Sequence, residues 1–175
     1  MEKRQAQNYL AGTAVVGAMV RHEESVGRLY RTYADLFPDG AAFWNGLADQ
    51  KKEHAALLHA EARKIQEGRL ALDAALFNIE SIRPSVVFVE NQAVIARRGP
   101  LTEAGALAAA RTVTEQTLAA QAFNIFGEEA GAPELCALFR EMHAREQRQL
   151  EAIIQQIGDL APGYGRLFGR LFGGK

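Results

Sequence analysis

Glu23, Lys51, His54, Glu115, Glu146 and Gln149 each interrupt an apolar stripe at helical spacing. Val16, Tyr30 and Phe37 lie at seven-residue steps from Glu23, and Trp44, Leu47, Leu58 and Glu61 lie seven from Lys51 or His54. Leu107, Leu118 and Ala122 surround Glu115, while Phe139, Met142, Leu150 and Ile153 surround Glu146 and Gln149. Side chains three, four or seven positions apart share one helix face, so this spacing aims all six polar groups into a common core. Charges buried there need partners or a metal. Carboxylate oxygens with an imidazole bind metal cations. An ammonium among the same carboxylates would be attracted by each of them and would take the metal's electrostatic place.

Long helices must position these groups. The punctuation predicts a first helix over residues 5 to 36, stopped at Phe37-Pro38-Asp39-Gly40, and a second from Ala41 to about Gln66, before Gly68. Residues 69 to 100 form a long connection with its own helical piece, opened by Pro84 at a first-turn position and closed by Arg97-Arg98-Gly99-Pro100. Val86-Val87-Phe88-Val89 has strand-like composition, but a lone strand would leave its backbone unpaired. Thr102 is placed to cap a third long helix running to about Glu129, and Gly131 and Pro133 separate it from a fourth, Pro133 to Ile157, which Gly158 ends. The expected architecture is all-α: a four-helix bundle of two helical hairpins joined by a crossover long enough to travel the bundle.

Composition narrows the function classes. With 175 residues, 48% of them hydrophobic, and no shift of composition, a single domain over residues 1 to 160 is expected, followed by a Gly-rich tail, 161 to 175. A formal net charge of -1 gives no general electrostatic drive toward nucleic acid. One cysteine, Cys136, closes no intrachain disulfide and forms no Cys-x-x-Cys pair, which suits a reducing cytoplasm. The apolar run at residues 9 to 20 follows Lys3 and Arg4 as a leader would, yet its stripe continues helically through Val16 and Met19 to Glu23 and Tyr30. It is also shorter than the roughly 20 residues that span a bilayer.

The chain resembles the rubrerythrin branch of the ferritin-like proteins over roughly residues 9 to 157. The resemblance rests on Glu23 followed by Leu29-Tyr30 and Tyr33-Ala34, on Phe43-Trp44 and Leu47-Ala48 leading to His54-Ala55, and on the spacing of Glu115 and Glu146. It implies a ferritin-like bundle in which a Glu from each of two helices and a Glu-x-x-His from each of the other two hold a pair of irons. It implies further a non-haem di-iron oxidase, a peroxidase or an iron-handling protein. Carried over residue by residue, Glu23, His54, Glu115 and Glu146 match metal ligands. Lys51 stands where the second helix should supply Glu, and Gln149 where the fourth should supply His. A bridging anion has become a cation and an imidazole an amide, so the expected site is impaired. The alternative is a metal-free structural or partner-binding member in which Lys51 substitutes for the metal. Cys-rich electron-transfer modules accompany many peroxidases of this family; none is present, so a redox cycle would need an external electron donor.

Lesser candidates complete the set. His143 precedes Glu146 by three residues and could form a shifted mononuclear site with it and one more carboxylate, although a half-buried, hydrogen-bonded histidine is the plainer expectation. Glu24, Glu53, His22 and His59 are expected at the surface, Tyr30 and Tyr33 in the core, and Cys136 as a small buried apolar residue. Small residues Gly12, Ala14, Gly17 and Ala18 permit close helix packing of a homodimer. The tail repeats Gly-Arg-Leu-Phe, at 165 to 168 and 169 to 172, and is expected to fold onto its own domain or dimer mate, or to dock on an outside partner.

Overall fold

A computed structural model describes residues 2–70, 80, 82–119 and 133–160, with side chains from residue 11 onward. Among these the protein is all-helical and contains no strand. Five α-helices follow in order: α1 (Glu2–Leu36), α2 (Ala41–Gln66), α3 (Arg83–Arg98), α4 (Glu103–Ala119) and α5 (Pro133–Leu160). A single 3₁₀ turn, Pro38–Gly40, joins α1 to α2.

Local chemistry sets these boundaries. Phe37 takes φ -124 and ψ 77, the extended backbone that a following proline demands, and this ends α1. α2 ends where Gly68 adopts φ 68, a left-handed position that costs glycine little, while Arg69 and Leu70 both donate to the Lys64 carbonyl. α3 begins with Pro84 in its first turn and finishes with Arg97 and Arg98 against the negative end of the helix dipole. Thr102 Oγ1 accepts the Gly105 amide at 3.1 Å, the expected cap of α4. The strand-like Val86–Val89 stretch lies inside α3.

One expected helix end changes. α5 passes through Gly158 to Leu160. A side chain at Gly158 would meet nothing within 4 Å, so the glycine weakens an exposed last turn without a packing reason to break it. The third long helix is described to Ala119, and the remainder of the expected span to Glu129 lies outside the described residues.

Contacts give the direction of each helix. α1 and α2 are antiparallel: Tyr33 packs on Trp44 at 5.0 Å beside the turn, and Val16 shares a cluster with Leu58 and Ile65 at the far end. α3 begins in that far cluster with Ile82 and returns to the turn end, where Val89 and Ala96 join Val26, Tyr33 and Trp44. α4 brings Ala106, Leu107, Ala110 and Val113 to the turn end. α5 starts among the far residues with Leu135, Phe139 and Met142 and reaches the turn end with Ile153. α1, α3 and α5 therefore run one way and α2 and α4 the other. The crossover is α3, whose 16 residues span about 24 Å at about 1.5 Å per residue.

The apolar core is thus two clusters, and a polar layer crosses the bundle between them. Glu23 of α1, Lys51 and His54 of α2, Thr114 of α4, and Glu146 and Gln149 of α5 all lie in this layer, each at most 3% exposed. Gly27, one turn beyond Glu23, lets α2 approach here: a Cβ at Gly27 would lie 3.3 Å from the Cβ of Lys51.

Candidate functional site

The layer has an ionic half. Lys51 Nζ donates a hydrogen bond to Glu146 Oε1 and lies 3.3 Å from Glu23 Oε2. His54 Nδ1 lies 3.2 Å from the same Glu23 oxygen and 3.4 Å from the same Glu146 oxygen. One oxygen of each carboxylate therefore faces both nitrogens, and four helix-borne groups close into a ring. Because both neighbours of His54 Nδ1 are acceptors, that nitrogen carries a proton. Glu23 Oε1 lies 3.5 Å from His22 Nδ1, beyond a normal hydrogen bond, and His22 Nε2 lies 2.8 Å from Ser85 Oγ. Through His22 the crossover helix is attached to the ring.

Burial and charge compete at each group. Burial alone would raise the Glu23 pKa, but the Lys51 charge and the neighbouring imidazoles of His22 and His54 hold it well below 4.5. Burial would lower Lys51, and Glu146 and Glu23 together overcome it, so the ammonium keeps its proton more tightly than the usual 10.5. Burial likewise opposes charge on His54, and Glu146 and Glu23 raise it above 6.5. With His54 protonated, two carboxylates balance one ammonium and one imidazolium. Deprotonation of His54 leaves a single surplus negative charge.

The other half is neutral. Gln149 Nε2 donates to Tyr30 Oη at 3.1 Å and to Thr114 Oγ1 at 2.9 Å, and Thr114 donates onward to the Ala110 carbonyl at 3.0 Å. Burial pushes the Tyr30 phenol up to about 12, so it remains neutral. Tyr33 and Trp44 continue from Tyr30 as a packed aromatic group, as the core expectation for the tyrosines requires.

Glu115 does not join the layer. Its side chain is 45% exposed and pairs with Arg111 Nε at 2.7 Å along the same helix. The inward stripe of α4 runs through Ala110, Val113, Thr114 and Thr117, so Glu115 is turned about 100° away from Thr114. Thr114, missed by sequence reasoning, occupies the inward position. Helix α4 is rich in alanine, and its apolar residues extend past a single stripe, which leaves its rotation weakly marked.

His22 is a second correction: it is 3% exposed, not a surface histidine. α1 is covered by α2 and by α3, so a residue one step off the principal stripe is buried as well. Glu24, Glu53 and His59 are exposed as expected; His59 pairs with Glu24 at 3.4 Å, and Arg145 reaches Glu53 at 3.0 Å. Cys136 is buried. His143 is half-buried, but its Nδ1 has no hydrogen-bond partner, and it stands outside the Glu23, His54 and Glu146 group.

That group is the one set of candidate metal donors among the described residues, with one atom from each within 4.8 Å of the others. Glu23 Oε1, His54 Nε2 and Glu146 Oε2 have no hydrogen-bond partner and are chemically able to coordinate. A pair of irons does not fit the layer. Glu115 points outward, Gln149 is engaged by neutral groups, and the Lys51 ammonium contacts both remaining carboxylates. No helix among the described residues is long and apolar enough to cross a membrane. In comparisons with known proteins, no family model, curated protein or solved structure matches this chain.

Proposed function

We propose that this chain is a ferritin-like bundle of the rubrerythrin type in which the Lys51 ammonium has replaced the metal pair, and that it acts as a metal-independent structural or partner-binding member instead of a di-iron oxidase. The observation that carries this reading is the double engagement of Lys51, a fully buried cation held by Glu23 and Glu146 together. The crossover between two parallel helices, α2 and α4, supports the ferritin-like topology. A divalent ion beside Lys51 would meet a fixed positive charge at contact range, and the ring holds too few anions to offset both. Protein purified from iron-supplemented medium should carry substoichiometric iron and consume neither peroxide nor oxygen with a supplied electron donor. Stoichiometric, tightly held iron would overturn the proposal.

A second reading is favoured by the uncommitted donor atoms. Glu23, His54 and Glu146 could hold a single metal for iron handling if Lys51 withdrew or lost its proton. The raised affinity of Lys51 for its proton argues against that route. Zinc or cobalt titration followed by calorimetry separates the two readings, since a mononuclear site gives one saturable event that Glu146→Gln abolishes.

A further inference from the structure

Three buried polar groups lead from the crossover helix into the ring. Of the buried residues of α3, Ser85, Val89 and Ala96, only Ser85 is polar. It sits in the first turn, 2% exposed, with its hydroxyl oxygen 2.8 Å from Nε2 of His22 on α1, itself 3% exposed. The other imidazole nitrogen, Nδ1, lies 3.5 Å from Glu23 Oε1. The second oxygen of that carboxylate, Oε2, faces Lys51 Nζ at 3.3 Å and His54 Nδ1 at 3.2 Å. Serine, imidazole and carboxylate thus stand in line, and each has two possible hydrogen-bonding roles except the carboxylate.

The carboxylate gives the line a direction. Lys51 has only donors and His54 Nδ1 carries a proton, so Glu23 Oε2 accepts from that side. Glu23 has no proton to offer at Oε1 either, so the His22 nitrogen that faces it is the one bearing N–H. The charges of the ring already balance, and a cation on His22 would be a buried surplus, so the imidazole is neutral. Its Nε2 then holds a lone pair, and Ser85 donates to it. In the opposite sense Nδ1 would turn a lone pair toward a carboxylate oxygen. The Ser85 hydrogen would then be buried with no acceptor among the described residues.

We propose that Ser85, His22 and Glu23 form a one-way relay that seats the crossover helix on the ring: Ser85 donates to His22, His22 turns its N–H to Glu23, and the negative charge of Glu23 sets that direction. The seating of α3 then depends on a residue that α3 does not touch. Glu23→Gln should reverse the relay. The new amide keeps its oxygen toward the donors Lys51 and His54, its NH2 group faces His22 Nδ1, and the imidazole proton moves to Nε2. The relay takes Glu23 as an anion from the reading of Lys51 as the ring's cation. Failure of that reading appears as stoichiometric iron in the parent, whereas failure of the relay appears at His22 in iron-free protein.

Proton–nitrogen correlation NMR of the His22 ring, in the full chain at neutral pH, reads the direction. The proton should sit on Nδ1 in the parent and in Ser85→Ala, and on Nε2 in Glu23→Gln. A parent ring protonated on Nε2 or on both nitrogens overturns the proposal, as does an unchanged ring in Glu23→Gln. Backbone amide exchange reads the seating. Ser85→Ala should speed exchange over residues 83–98 by at least about fivefold while leaving α2 unchanged. Added to Glu23→Gln, the same change should contribute less than about twofold, because Ser85 there already holds a buried hydrogen without an acceptor. Equal exchange over α3 in the parent and Ser85→Ala, or an equal effect of Ser85→Ala in both backgrounds, overturns the proposal. If Glu23→Gln does not fold, the parent ring and the Ser85→Ala exchange decide it alone.

Discussion

The two halves of the polar layer lie one turn apart on α5 and behave as different materials. Around Glu146 every contact joins a carboxylate to a cationic or titratable nitrogen, whereas around Gln149 every contact joins neutral hydrogen-bonding groups. The ionic half already contains its cation. The neutral half has no anion with which to hold one, since Thr114 occupies the inward position and Glu115 faces solvent. One buried layer can therefore be electrically complete on one side and electrically silent on the other.

Removing the cation should expose this difference most strongly. Lys51→Met strands two buried carboxylates, and at neutral pH we expect a loss of about 3 to 5 kcal/mol, visible as a fall in melting temperature on the order of 10 °C. The penalty should shrink as the pH is lowered and the carboxylates take up protons. An unchanged melting temperature would mean that Lys51 is not the counter-ion.

The ionic half should also give stability its pH dependence. Glu23 titrates below its ordinary 4.5 in the folded protein, so its contribution is present above 4.5 and lost as the pH falls through the lower folded value. His54 titrates above 6.5, so its contribution is complete below 6.5 and fades as the pH rises through the raised value. The joint contribution should be greatest between 4.5 and 6.5, and urea unfolding across that range and beyond it checks this. Glu23→Gln should flatten the acid limb.

In the neutral half, Gln149→Leu deletes the donor to Tyr30 and Thr114 and should cost about 1 to 3 kcal/mol with little change in pH profile. A strong pH dependence of that loss would blur the division between the halves. Smallest of all, Glu115→Ala removes a solvent-exposed pair with Arg111 and should shift stability by about 0.5 kcal/mol or less in chemical denaturation. A larger loss would return Glu115 to a structural role that its exposure does not suggest.

The legible parts of this molecule were those with strong local signals. Pro38, Gly40 and Gly68 delimit α2 from Ala41 to Gln66, as the sequence predicts, and Pro84 with Gly99-Pro100 brackets α3. Glu23, Lys51, His54, Glu146 and Gln149 could be placed because they sit in apolar stripes on α1, α2 and α5. Thr114 could not, because the alanines of α4 conceal which face is inward. His22 could not, because its burial depends on α3 returning across α1, a long-range event that no local pattern encodes. Gly158 was misleading for the opposite reason: a weak helix former in an exposed turn reduces stability without ending the helix.

The placement of the ring between two apolar clusters also governs alignment. Apolar seams alone tolerate sliding, because one leucine-sized contact can replace another. A slip of α5 by one turn, about 5.4 Å, would carry Glu146 away from Lys51, into the far apolar cluster in one direction or among the neutral partners of Gln149 in the other. A matching slip of α2 would carry the ammonium toward Tyr30 and Tyr33 of α1 or toward Phe139 and Met142 of α5. The four charged groups thus act as an index mark along the bundle axis, admitting one longitudinal setting of α1, α2 and α5 and rejecting its neighbours.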